Sequence, residues 1–221
     1  MELRDGIRQT GAVRGFTNEP VADAVLHAIL DDARFAPSGG NRQPWRVAVV
    51  TDQAIRRELA AAMRPVWNEY ASLVAAGRTP FTVVDPAPTV LSTTTPGNVP
   101  NDLIDNITQI PVVLAVAADL SRIAMMDKDL DRATVTGGAS VYPFCWNILL
   151  AARERGLGGV ITTFASRVEP MTGPLLGLPA DHALAATIFL GRPVKQLTKL
   201  SRQPVESFTT IDRFDGPSFG V

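Results

Sequence analysis

Residues 111–117, Pro-Val-Val-Leu-Ala-Val-Ala, form an apolar run of strand length through which no polar residue alternates. A half-buried strand alternates with period two, so a run without alternation belongs to a strand covered on both faces. That places it inside a sheet with packed layers above and below. Further runs at 45–50, 160–163 and 184–190 are candidates for the neighbouring strands. Helical segments alternate with them, which gives an α+β or α/β sandwich around a central sheet.

The stretch after Phe16 reads as a helix start, with Thr17 and Asn18 as capping candidates and Pro20 in the first turn; Val21, Val25, Leu26, Ile29, Leu30 and Ala33 follow at helical spacing up to a stop at Pro37. Ser38-Gly39-Gly40-Asn41 then reads as a loop with two glycines available for positive φ. From Gln53 a second helical pattern carries Ile55, Leu59 and Met63, and after a kink at Pro65 it continues through Trp67, Tyr70, Leu73 and Val74. Segment 78–106 is irregular and rich in proline and threonine, and it is either a lid over a pocket or a surface insertion. A helix through Phe144, Ile148, Leu149 and Ala152 ends at Gly156, and a short one lies near Val168. Residues 195–221 have no helical period and cannot build their own core, so they fray or lie on something else, such as a second subunit.

With 221 residues, 46% hydrophobic and 19% charged, and a formal charge of −1, the chain reads as one soluble domain over 1–221. No basic cluster is present to neutralise phosphates, so nucleic acid is not an expected partner. No run approaches the ~20 apolar residues that span a bilayer, so no membrane is expected and the location is expected to be cytoplasmic. The single cysteine, Cys145, sits between Phe144 and Trp146 and is expected to be an inert core thiol. His27 and His182 have no ligand partners at metal spacing, and no Gly-x-Ser-x-Gly elbow occurs, so neither a metal site nor a serine hydrolase is expected.

Residues 36–45, Ala-Pro-Ser-Gly-Gly-Asn-Arg-Gln-Pro-Trp, offer a hydroxyl, two amides and glycine backbone, a set suited to a planar polar heterocycle. Alone, this is also a helix cap followed by a turn. It is preceded by Val13-Arg14-Gly15-Phe16 with Pro20-Val21. It is followed by Leu149-Leu150-Ala151-Ala152 with Gly156-Leu157-Gly158, by Leu176-Gly177-Leu178-Pro179 and by Gly191-Arg192-Pro193. In that order, from about Arg8 to about Arg202, the pattern resembles the FMN-dependent nitroreductase family.

The resemblance implies an α+β three-layer sandwich, its central sheet mixed but mostly antiparallel and flanked by helices, in a homodimer that exchanges C-terminal tails. It implies FMN as cofactor, NAD(P)H as hydride donor, and a small-molecule electron acceptor such as a nitroaromatic or quinone. Arg14 matches part of a basic cluster that grips the FMN phosphate. Thr10 and Ala12, with Gly11 between them, stand where the family carries Arg and Ser. Arg202, assisted by Lys199, would reach the same phosphate from the C-terminal side. Residues matching Pro37, Ser38, Gly39 and Asn41 touch the flavin from the neighbouring subunit. The backbone N–H of Thr163, with Ile161, Thr162 and Phe164 beside it, would face flavin N5, so no catalytic side chain is expected. Trp67, Tyr70 and Phe81 are candidates for the acceptor pocket or for core; Trp45 is assigned to core. The resemblance also leaves open a flavin-storing protein without turnover, a deazaflavin-dependent enzyme and a dehalogenase.

Overall fold

The protein was analysed as a computed structural model that describes residues 1–84 and 98–220. Four strands form one sheet in the order β1-β2-β4-β3: β1 Trp45–Val49, β2 Val112–Asp119, β3 Gly158–Thr162 and β4 His182–Gly191. All three pairings are antiparallel. Among the described residues the parallel component is an isolated bridge between Ala12 and Gly159.

Every residue of β2 is buried, as its unalternating sequence requires. Val112, Leu114 and Val116 pack on one side with Leu26 and Ile29 of α2 (Asp23–Ala33) and Ile148 of α5 (Tyr142–Glu154). Val113 and Ala115 pack on the other with Leu59 and Met63 of α3 (Gln53–Ala75) and with Leu103 and Ile104 of α4 (Asp102–Asp105). The chain is therefore an α+β sandwich of three layers. A further helix, α1 (Leu3–Gln9), lies before them, and α6 (Phe164–Arg167) and α7 (Glu169–Leu176) stand where one short helix near Val168 was expected.

Several local expectations are corrected. α2 starts at Asp23 behind Ala22, with no side-chain cap, rather than at Thr17 or Asn18. The Thr17 N–H is taken by the Arg192 carbonyl at 2.9 Å and Phe16 bridges Pro193, so these residues are extended against the end of β4. In the 38–41 loop only Gly40 of the two glycines has positive φ, at 60°; Asn41 follows at 52°. Pro65 lies inside α3, which runs on to Ala75 as expected. Trp45 is half-buried and stacks on Phe144 with centroids 4.7 Å apart. Cys145 is fully buried, and burial pushes its thiol up to about 12, which fits the expected inert role. No helix among the described residues is long and apolar enough to cross a membrane.

One buried cation ties these layers together. Arg56 in the first turns of α3 is 5% exposed, and burial lowers its pKa. Its guanidinium donates to the carbonyls of Val50 (2.8 Å), Ile110 (2.6 Å) and Ile107 (3.3 Å). It thereby joins the exit of β1 to the entry of β2. A buried charge is tolerated only when its donors are satisfied, and here backbone oxygens satisfy them. Arg56→Ala strands these carbonyls and is expected to cost about 3 kcal/mol or more, measured as a shift of the urea unfolding midpoint at unchanged slope.

Candidate functional site

β3 is an edge strand, and among the described residues its free side is occupied only at its start. There the Gly159 carbonyl accepts the Val13 N–H at 2.9 Å. The contact depends on a missing side chain, since a Cβ on Gly158 would lie 2.7 Å from Val13 Cγ2; Gly159 is tight for another reason, its Cβ position lying 2.7 Å from the Phe189 carbonyl oxygen of β4. Backbone groups along a strand alternate between its two sides. Because Gly159 turns its carbonyl to Val13, the N–H and C=O of Ile161 face the same open side, away from β4. The Thr162 carbonyl belongs to the β4 ladder, so the next N–H, that of Thr163, also points to the open side. It donates to no backbone carbonyl among the described residues.

A cavity of 520 Å³ opens along this edge. Ile161, Thr162 and Thr163 line it, with Phe164 at the start of α6. Trp67 and Tyr70, one turn apart on α3, line another wall. Their rings lie 5.6 Å apart and 16° from parallel, and Phe164 meets them edge-on at 5.8 and 6.0 Å. Asn101, Asp102 and Leu103 at the head of α4 contribute a further wall. Arg14, brought here by the docking of Val13, lines both this cavity and a neighbouring one of 210 Å³ that adds Asn18, Asn106 and Gln109. Arg14 is exposed and makes no hydrogen bond or ion pair among the described residues. An unengaged guanidinium beside open strand-edge donors is suited to an anionic ligand with a planar hydrogen-bonding body.

Arg14, Ile161, Thr162, Thr163, Phe164, Trp67 and Tyr70 are thus brought together. Phe81 stands behind them, 6.3 Å from the Tyr70 ring and with the Arg167 guanidinium 4.9 Å from its own centroid. Thr10, Gly11 and Ala12 do not line either cavity. Thr10 caps α1 and its hydroxyl is buried without a partner. Gly11 is the seat of the chain after β4: a Cβ there would meet Leu200 Cδ2 at 2.8 Å. Lys199 and Arg202 flank that contact, both exposed, and Arg202 donates to its neighbour Ser201 at 2.6 Å. Pro37, Ser38, Gly39 and Asn41 lie apart from the cavity, in a loop where the Gly39 N–H donates to Ser140 Oγ at 3.1 Å and Ser38 Oγ accepts from the Gln43 N–H at 3.0 Å.

Asn101, Asp102 and Leu103 were not anticipated, because segment 78–106 reads as one irregular loop. The available signal was Asn101 ahead of Asp-Leu-Ile: its side chain accepts from the N–H groups of Leu103 and Ile104 and starts α4. Residues 98–106 are fastened to α3, since the Val99 carbonyl accepts from Arg64 (2.9 Å) and Trp67 Nε1 (3.1 Å). The centre of the expected lid, 85–97, lies outside the described residues.

Comparison with known sequences decides the family. The profile of the Nitroreductase family matches residues 7–192. The chain belongs to this family. The nitrobenzene nitroreductase of Ectopseudomonas oleovorans is 31% identical over 95% of this chain and 96% of its own. An NADH dehydrogenase of Thermus thermophilus is 28% identical over 88% of each chain. Among solved structures, a protein from Desulfovibrio desulfuricans described as a nitroreductase in complex with FMN superposes with a TM-score of 0.67 at 24% identity, covering 96% of this chain and 98% of that one. That likeness establishes the nitroreductase fold, and membership establishes oxidoreductase as the coarse class.

The approach of Val13 to β3 governs where Arg14 stands. Gly158→Val places a branched side chain against the buried Val13 and is expected to cost about 1–3 kcal/mol. It is also expected to move the 12–14 segment off the strand edge, seen as faster amide exchange at Val13 than in the parent protein.

Proposed function

We propose that two copies of this chain together bind FMN and use it to pass hydride from NAD(P)H to an electrophilic small molecule, such as a nitroaromatic or a quinone. One observation carries this reading: an unpaired guanidinium, an unpaired strand edge and a stacked aromatic pair converge on one cavity. Membership of the family and the names of the two sequence relatives support it.

The residues present fit the cofactor. Arg14 offers a charge-assisted, fork-shaped contact to a phosphate. With Thr10 and Ala12 in place of a cation and a hydroxyl, Arg14 carries most of that task, and Lys199 and Arg202 join it from the chain that packs over Gly11. When bound, FMN supplies a ring nitrogen that accepts hydride from the nicotinamide and yields it to the acceptor. The Thr163 N–H offers a fixed donor to that nitrogen, so no side-chain acid or base is needed there. Trp67 and Tyr70 exclude water beside it and offer a stacking surface to a planar acceptor.

A second copy accounts for the rest. The 37–41 loop is largely exposed and away from its own cavity, so it contributes to the site of a partner. The C-terminal tail exposes Phe208, Ile211, Phe214 and Phe219, and as an extension laid over a partner it would bury them. Residues 98–106, fastened to α3 through Val99, form a fixed wall of the site.

The test is an absorbance spectrum of protein purified without added flavin, repeated anaerobically with NADPH and then NADH. Flavin bands that bleach with either nucleotide are expected; a protein that cannot be loaded with FMN overturns the reading, and one that binds FMN without bleaching is a store and not an enzyme. Arg14→Ala is expected to weaken FMN binding about tenfold or more, with the melting temperature of the flavin-free protein unchanged.

A further inference from the structure

Among the described residues, Arg14 and Asp102 are the charged ones lining these two cavities, and each lines both. The other polar groups, among them Asn18, Asn101, Asn106 and Gln109, are neutral. If Arg14 is compensated by a phosphate, the Asp102 carboxylate is the charge left facing whatever else enters. Asp102 has no cation partner and no side-chain hydrogen bond among the described residues. Its neighbour Asp105 differs: it pairs with Arg64 and accepts the Asn101 N–H at 2.7 Å.

The position of Asp102 is fixed by its surroundings. Asn101 caps the helix it begins, and the next two side chains, Leu103 and Ile104, are 2% and 4% exposed in the core beneath. The carboxylate is therefore held at the cavity wall while its backbone cannot retreat.

We infer that Asp102 selects the acceptor by charge, admitting neutral and cationic electrophiles and turning away those that carry a carboxylate. This rests on the flavin reading above. Asp102 is exposed, so two like charges a few ångströms apart at this wall repel through high dielectric, by an amount worth about several-fold in binding. The amides of Asn101, Asn106 and Gln109 impose no such penalty on neutral nitro, carbonyl or hydroxyl substituents, since an amide both donates and accepts.

The test compares 4-nitrobenzoate with 4-nitrobenzamide, which differ in charge and little in shape, on protein whose flavin content is first measured by absorbance. kcat/KM is measured for both, and the affinities of benzoate and benzamide are read from the perturbed flavin spectrum. The wild type is expected to favour each amide about several-fold. That ratio should shrink in high salt and fall to near one in Asp102→Asn. Asp105→Asn, which breaks the pair with Arg64 but leaves Asp102, is expected to keep the wild-type ratio. A flavin-loaded wild type that treats acid and amide alike, or an Asp102→Asn variant with an unchanged ratio, overturns the role of Asp102 and leaves the oxidoreductase reading intact. A protein that takes up no flavin overturns both.

Discussion

The close approach of Val13 to the start of β3 is the contact on which the rest of the site depends. Gly158, which has no side chain to meet Val13, lets another segment come within hydrogen-bonding distance of an edge strand at the Gly159 carbonyl. An edge strand normally offers its unpaired groups to any passing chain. Here Val13 uses the first of them, and the direction it imposes on Gly159 sends the backbone groups of Ile161 and Thr163 outward. The same approach delivers Arg14, the next residue, to the mouth of the cleft that those groups line. A cation and a row of donors are thus supplied by one packing event between backbones.

The far wall is set by a separate device. Arg56 gathers carbonyls from the end of β1 and the entry of β2, so the segment that carries α4 enters the sheet at a fixed height. Arg64 and Trp67, two turns and more along the same helix, fasten Val99. Helix α3 therefore holds the wall bearing Asp102 while presenting Trp67 and Tyr70 to the cavity. Geometry of this kind, built on regular elements, places polar and aromatic groups more firmly than a loop does.

The layers were legible where periodicity was strong. The apolar run 111–117 declared a doubly covered strand, and the helical spacing of Phe144, Ile148, Leu149 and Ala152 declared α5. What escaped was short or tertiary in origin. Four-residue α4 is hidden among prolines and threonines, and α1 has no apolar stripe long enough to register. Thr17, read as a cap, is instead held extended by the carbonyl of Arg192, a contact distant in sequence that no local pattern reports. The buried Asp127, which pairs with Arg132 and accepts from Val135 and Thr136, likewise shapes its loop through contacts without periodicity. These donors, the Thr136 hydroxyl first, hold its carboxyl well below the usual carboxylate range. In the site, Arg14 and residues 161–164 were read by resemblance and fall together in one chain, whereas 37–41 lie outside that cavity.

The claim that binds these observations is that the outward N–H of Thr163 is a cofactor donor. Residue-resolved amide hydrogen exchange, with and without FMN, tests it most directly. The account predicts that Thr163 exchanges quickly alone and becomes protected when FMN is added, while Val160 and Thr162, already paired with β4, change little. Bound FMN with unchanged exchange at Thr163 would contradict it.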